Sequence, residues 1–156
     1  MSIFSELGIR NGRGRVKEEL LYNLASFYAL SEKAIERVLA PFGLSSVKMN
    51  ALLIVKHVGK DKGLSQAEIG KKMVVSAGNI TRLLDRLQRE DLLKRVAQAG
   101  DRRVKLIKIT KKGSDLLVKA WPVYKKKVDE IITLPNTDII KTTSCIEKLR
   151  RVISKN

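Results

Sequence analysis

Apolar positions along this chain form a series of helical stripes, interrupted once by a short alternating stretch. Between residues 16 and 40, Leu21, Leu24, Tyr28, Ile35 and Val38 fall on a near-heptad line, with Ser31 as its polar gap. Leu20, Phe27 and Leu39 widen the face, and Pro41 and Gly43 predict its end. A second helix is predicted over Ser46–His57, with Val47, Ala51, Ile54, Val55 and Val58 as its buried side. Gly59 and Gly63 bracket the turn after it.

The next segment carries start signals of unusual clarity. Ser65 and Glu68 have the S-x-x-E spacing of a capping box, in which each side chain accepts from the other residue's free backbone N–H. Leu64 and Ile69 flank it as a hydrophobic staple. A short helix is predicted to follow and to end near Met73, with Val74 and Val75 in a tight turn. Ser76 caps the next helix, Ala77 to about Glu90. There Ile80, Leu83, Leu84 and Leu87 keep the i, i+3, i+4, i+7 spacing of one buried face. At 100° per residue the opposite face holds Gly78, Asn79, Arg82, Asp85, Arg86 and Arg89. Two short strands are predicted at Leu93–Val96 and Val104–Ile109, joined by a turn-rich basic loop from Ala97 to Arg103. Thr110 then caps a long helix reaching about Ile132, which Pro122 is expected to kink by removing one interior hydrogen bond and crowding the preceding turn. Leu134–Pro135 breaks the chain. A last helix from about Thr137 to Ser154 aligns Ile139, Thr143, Ile146, Leu149 and Ile153.

Charge changes the picture. The chain carries 32 Lys and Arg against 16 Asp and Glu, a net +16, which creates a field attractive to polyanions. The excess concentrates in the second half: residues 64–110 and 111–156 each hold eleven basic and five acidic groups. Arg10, Arg13 and Arg15 interleave with glycines in residues 1–15, which predicts a flexible basic tail. The longest apolar run, Ala51–Val55, is five residues, against the roughly 20 needed to span a bilayer. No membrane partner is therefore expected, and a cytoplasmic location is. Cys145 is a lone cysteine beside Ile146, expected to be a buried, inert thiol. His57 and Cys145 lie too far apart to suggest a metal site, and Trp121 is expected in the core or lining a pocket. No nucleophile–base set, phosphate loop or carboxylate pair emerges, so neither an enzyme nor a cofactor is expected.

A capped short helix, a tight turn, a second helix with a cationic outer face and then a basic hairpin is the order of a winged helix-turn-helix. Such a second helix enters the major groove, where base edges present a readable donor–acceptor pattern. Gly78 would let the backbone approach closely. Asn79 and Arg82 suit adenine and guanine edges, whereas Ser76 and Thr81 are short hydroxyl donors suited to phosphate oxygens. Arg86 extends the cationic face, and Arg102 and Arg103 would place a charged hairpin tip along the flanking backbone or in the minor groove.

From Leu64 to Gly113 the sequence also resembles the MarR-type regulators (multiple-antibiotic-resistance regulators). Thr81–Arg82–Leu83–Leu84–Asp85–Arg86–Leu87 looks like that family's recognition-helix core, Asp101–Arg102–Arg103 like its wing-tip D-x-R, and Thr110–Lys111–Lys112–Gly113 like the start of its following helix. Asp91 departs from the pattern, standing where the family usually has a helix-ending glycine; Asp tolerates that left-handed position better than most residues. The resemblance implies a mainly α fold with a small β-hairpin wing: a winged helix-turn-helix lobe over 44–110, flanked by dimerisation helices over 16–43 and 111–156. It further implies a homodimer acting on double-stranded DNA at a palindromic operator, with repression or activation as its output, repression being the one expected here. A small ligand between the dimer helices and the DNA-binding lobe often relieves such binding. By the same resemblance Arg103 reaches DNA from the wing, Asp101 orients that loop and Asp85 pairs with a nearby arginine. The apolar stripes themselves suggest the dimer seam: Leu21, Leu24, Tyr28, Ile35 and Val38 on the first long helix, with Ile139, Ile146, Leu149 and Ile153 on the last. The competing expectation is an architectural DNA binder with no sequence preference.

Overall fold

The computed structural model describes residues 3–8, 15–73, 77–98 and 101–154, apart from the side chains of residues 77, 78, 98 and 101–104. Helix α1 is a single turn, Ile3–Glu6, and α2 runs from Val16 to Leu39. Pro41 sits at the start of a 3-10 turn, Ala40–Phe42, and Gly43 closes it in the left-handed region. α3 spans Ser46–His57, capped by the Ser45 hydroxyl, which accepts from the Lys48 backbone N–H. Then come β1 (Leu64–Ser65), α4 (Gln66–Lys72), α5 (Ala77–Arg89), β2 (Leu93–Gln98), β3 (Asp101–Ile109), α6 (Lys111–Ile131) and α7 (Asn136–Ile153). The fold is mainly helical with a small antiparallel hairpin, as expected.

Leu39, Leu52, Val55, Ile69, Leu84 and Leu87 are fully buried at the centre, where α2, α3, α4 and α5 meet. Burying one such leucine contributes about 1.5–3 kcal/mol, so this cluster anchors the lobe. Sheet order is β1-β3-β2, with Leu64 opposite Ile107 and Leu93 opposite Ile109. Thr110 caps α6 by accepting from the Gly113 N–H at 3.0 Å, and the helix continues through Pro122.

Several expectations need correction. The buried side of α3 is Met49, Ala51, Leu52 and Val55 together with Lys48; Val47 and Ile54 are only half-buried, and Val58 is exposed. This helix is apolar almost all round, so periodicity alone cannot choose a face; its several packing neighbours do. The strands reach further than predicted, to Gln98 and back from Asp101, with an irregularity between Ala97 and Gln98. Asp101, Arg102 and Arg103 therefore lie in strand β3 and not in a loop. The polar, small composition of that stretch resembles a turn, yet ladder hydrogen bonds are made by the backbone whatever the side chains. β1 was not anticipated, because two residues are too few to show alternation. At the N-terminus Ile3 and Phe4 are buried, and the Phe4 ring meets Tyr22 edge-on at 5.7 Å with the Arg15 guanidinium 5.5 Å from its centroid. That part of the expected tail packs on the protein. Cys145 is exposed, since α7 buries no residue at all within the chain.

Asp91 has φ +59, the left-handed position expected of it. Leu92 N–H donates to Leu87 C=O at 2.9 Å and Asp91 N–H to Gln88 C=O at 3.0 Å, the paired bonds of a Schellman cap. Buried Leu87 and Leu92 supply the apolar contact that accompanies it. Asp91→Gly should therefore stabilise the protein by about 0.5 kcal/mol, the relief of the left-handed strain exceeding the added chain entropy. Urea denaturation measures this; a loss of stability would mean that the Asp91 side chain itself holds the turn.

Candidate nucleic-acid interface

The helix pair α4–α5 is locked before it meets anything else. The Ser65–Glu68 capping box is complete: the Ser65 backbone N–H donates to the Glu68 carboxylate at 2.8 Å, and the Ser65 hydroxyl accepts from the Glu68 backbone N–H. The Ser65 backbone N–H, and the Ser65 hydroxyl donating to the same carboxylate at 2.7 Å, hold the Glu68 carboxyl below its ordinary range. With a lowered folded-state value, the cap's contribution is complete at neutral pH and is lost on acidification through that lowered value. Leu64 and Ile69 are buried as a staple requires. Across the pair, the Gln66 side-chain amide donates to the Thr81 hydroxyl at 2.6 Å. Thr81 thus keeps its own proton available for donation to another acceptor.

α5 divides as its sequence predicts. Ile80, Leu84 and Leu87 are buried and Leu83 packs against the same core, whereas Asn79, Thr81, Arg82, Arg86 and Arg89 are exposed. Gly78 lies in the first turn of α5. Asp85, half-buried, accepts from Arg95 of β2 at 2.6 Å, so one ion pair ties this helix to the wing. Arg86 Nε stands 3.3 Å from Glu90, one turn on. Ser76 and the side chains of Asp101, Arg102 and Arg103 lie outside the described residues.

The result is a rigid helix with a cationic, hydrogen-bonding outer face, held by its neighbours on both sides. It can place donors on base edges and phosphates without reorganising its own backbone. The family model for the MarR family matches residues 42–104, which contain this helix pair and most of the wing. The curated HTH-type transcriptional regulator MhqR of Bacillus subtilis is 36% identical over 110 residues, 70% of this chain and 72% of that protein. The chain belongs to the MarR family. Among solved structures, a mutant MarR from E. coli complexed with operator DNA superposes with a TM-score of 0.74 at 18% identity, covering 96% of this chain and 99% of that one. CouR from Rhodococcus jostii RHA1, bound to p-coumaroyl-CoA, gives 0.75 at 21% identity, covering 85% and 92%. At those identities the likeness speaks for the fold. MarR membership makes the chain a DNA-binding transcriptional regulator and not an enzyme. Among the described residues no cluster of metal-ligating side chains occurs, and no single helix is long and apolar enough to cross a membrane.

Among the clefts formed by the described residues, two lie beside this MarR lobe. One, of about 380 Å³, lies between α3 and α6 and is lined by Leu53, Lys56, His57, Leu117, Val118 and Trp121. Trp121 is thus a pocket-lining residue, its ring 5.5 Å from that of Tyr124. The other, of about 540 Å³, runs between α2 and α7, with Leu24, Phe27, Ile139 and Ile146 among its walls. Of the stripe residues, Leu21, Tyr28, Leu149 and Ile153 are exposed, while Ile35 packs on the chain's own core. Sequence reasoning missed Gln66, Lys48, Glu90 and Arg95 as supports of α5. Only Lys48 left a signal, as a cation in the first half of α3, among the apolar residues Val47, Met49, Ala51 and Leu52.

Proposed function

We propose that this MarR-family protein is a sequence-specific regulator, acting in the cytoplasm as a homodimer on a palindromic operator, where it represses transcription. The observation that carries this reading is the exposed row Asn79–Arg82–Arg86 on a helix whose opposite side is buried. In this reading Asn79 and Arg82 meet base edges, Gly78 admits close approach, and Ser76, Thr81 and Arg86 hold phosphates. Arg102 and Arg103 carry the wing onto the flanking backbone, with Asp85 and Asp101 supporting it. The dimer is supported by α7, which buries nothing in its own chain yet exposes Ile140, Leu149, Val152 and Ile153. Two lobes related by a twofold axis would place their helices about 10 base pairs apart on one side of the duplex. The cleft between α3 and α6 joins the DNA-binding lobe to a dimerisation helix, a suitable place for a small ligand that relieves repression. That CouR is bound to p-coumaroyl-CoA supports a ligand-controlled reading.

Selection of bound duplexes from a random library tests the central claim. Recovery of one inverted repeat supports it; uniform binding that unrelated duplex competes away would instead favour an architectural binder. On the selected duplex, Arg82→Ala should lose about 1–3 kcal/mol and relax preference at one base pair per half-site. Equal losses on selected and scrambled duplexes would reassign Arg82 to a phosphate.

A further inference from the structure

Among the described residues, Lys48 is the one buried charged side chain. Its ammonium lies 2.7 Å from both carboxylate oxygens of Glu90 and 3.1 Å from the Gly43 carbonyl. Glu90 is the first residue past the end of α5, and other elements hold it too. Its backbone carbonyl accepts from Lys112 of α6 at 2.8 Å, and its carboxylate also meets Arg86. Two residues before Lys48, Ser46 donates to Glu36 of α2 twice, from its backbone N–H at 2.6 Å and its hydroxyl at 2.8 Å. The first turn of α3 therefore grips α2 with one residue and the end of α5 with another.

Building an ion pair here requires desolvating an ammonium, and a well-packed apolar pair would hold a fold as well or better. What the charged pair adds is a fixed direction and distance between α3 and α5. We propose that Lys48 is a positioning residue for DNA recognition: through Glu90 it fixes the pose of α5 relative to α2, and so the spacing at which a dimer reads two half-sites. This rests on the dimeric, sequence-specific reading above. In this role Lys48 acts through Glu90, whose carboxylate it shares with Arg86.

The test uses the full chain as wild type, Lys48→Met, Glu90→Gln and the double variant Lys48→Met/Glu90→Met. The probes are the duplex that the wild type selects, its single half-site, and versions with the halves moved one base pair closer or farther. Lys48→Met should lose roughly threefold to thirtyfold on the selected duplex, the range for residues coupling distant sites. It should also lose the wild type's preference over the shifted versions while keeping its half-site affinity. The double variant should match the wild type in thermal midpoint but show the same loss of spacing preference, which a merely stabilising role would not produce. If Lys48→Met does not fold, Glu90→Gln, at a partly exposed position, provides the same readout. Retention of the spacing preference in the folded variants overturns the proposal while leaving the regulator reading intact. A wild type that selects no inverted repeat overturns both.

Discussion

Leu24→Glu should convert the protein to monomers and lower affinity for the full operator by about a hundredfold or more. Leu24 lines the groove between α2 and α7, together with Ile139 and Ile146 of α7. A carboxylate there would have to be desolvated in any dimer that closes the groove, and an unpaired buried charge is far costlier than the lost methyl contacts. The loss on DNA follows from geometry and not from any change in α5. In a dimer, binding of the second half-site is effectively intramolecular, and that advantage is typically a factor of 10²–10⁴. Half-site affinity should stay unchanged. Ile153→Glu is a companion at a position already 74% exposed in the single chain, so it cannot unfold the monomer by burying charge. Light scattering with titrations on full and half operators measures both. A wild type that is already monomeric at micromolar concentration, and binds half and full sites alike, would end the dimer reading.

Gly113→Ala should be the most damaging single methyl group in the described chain. An added Cβ would lie 2.2 Å from the Leu92 carbonyl oxygen and 3.1 Å from its carbon. That carbonyl cannot simply retreat, because it accepts from the Thr110 backbone N–H at 3.1 Å and from the Thr110 hydroxyl at 3.2 Å. Moving it disturbs the cap of α6 and the Schellman cap of α5 together. The expected cost is about 3 kcal/mol, at the upper end for overpacking, which lowers the thermal midpoint by roughly 10 °C in a chain of this size. Gly70→Ala serves as the contrast. Its Cβ would meet only the end of the Ile80 side chain, at 3.1 Å, and the gain in helix propensity offsets that contact. Thermal melts of both variants decide the matter; a harmless Gly113→Ala would mean that α6 can slide on the strand end.

How far such features could be anticipated depends on the range of the interaction behind them. The Ser65–Glu68 cap, the buried row of α5 and the left-handed Asp91 are written in neighbouring residues, and each is found where the sequence puts it. The outer face of α5 was available for the same reason, since one helix needs only its own period. The face of α3 was not, because its apolar residues surround the axis and the choice belongs to four packed neighbours. The partners of Lys48 and Asp85 lie 42 and 10 residues away, so no local pattern could name them. Cys145 was misjudged by the same logic: a helix with an apolar stripe was expected to bury its surroundings, and α7 buries none within one chain.

Ser65 occupies two structures at once. Its backbone is paired with Leu106 in the sheet, while its side chain and N–H close the first turn of α4. The edge of the wing and the start of the helix pair therefore cannot fray separately: peeling β1 from β3 pulls out the cap of α4, and unwinding α4 frees β1. These elements should therefore open as one cooperative unit, with amide protons along β1 and the start of α4 exchanging at a common opening free energy. A bound duplex pressing on the wing would accordingly slow exchange in α4 as well, although the two lie in different kinds of secondary structure.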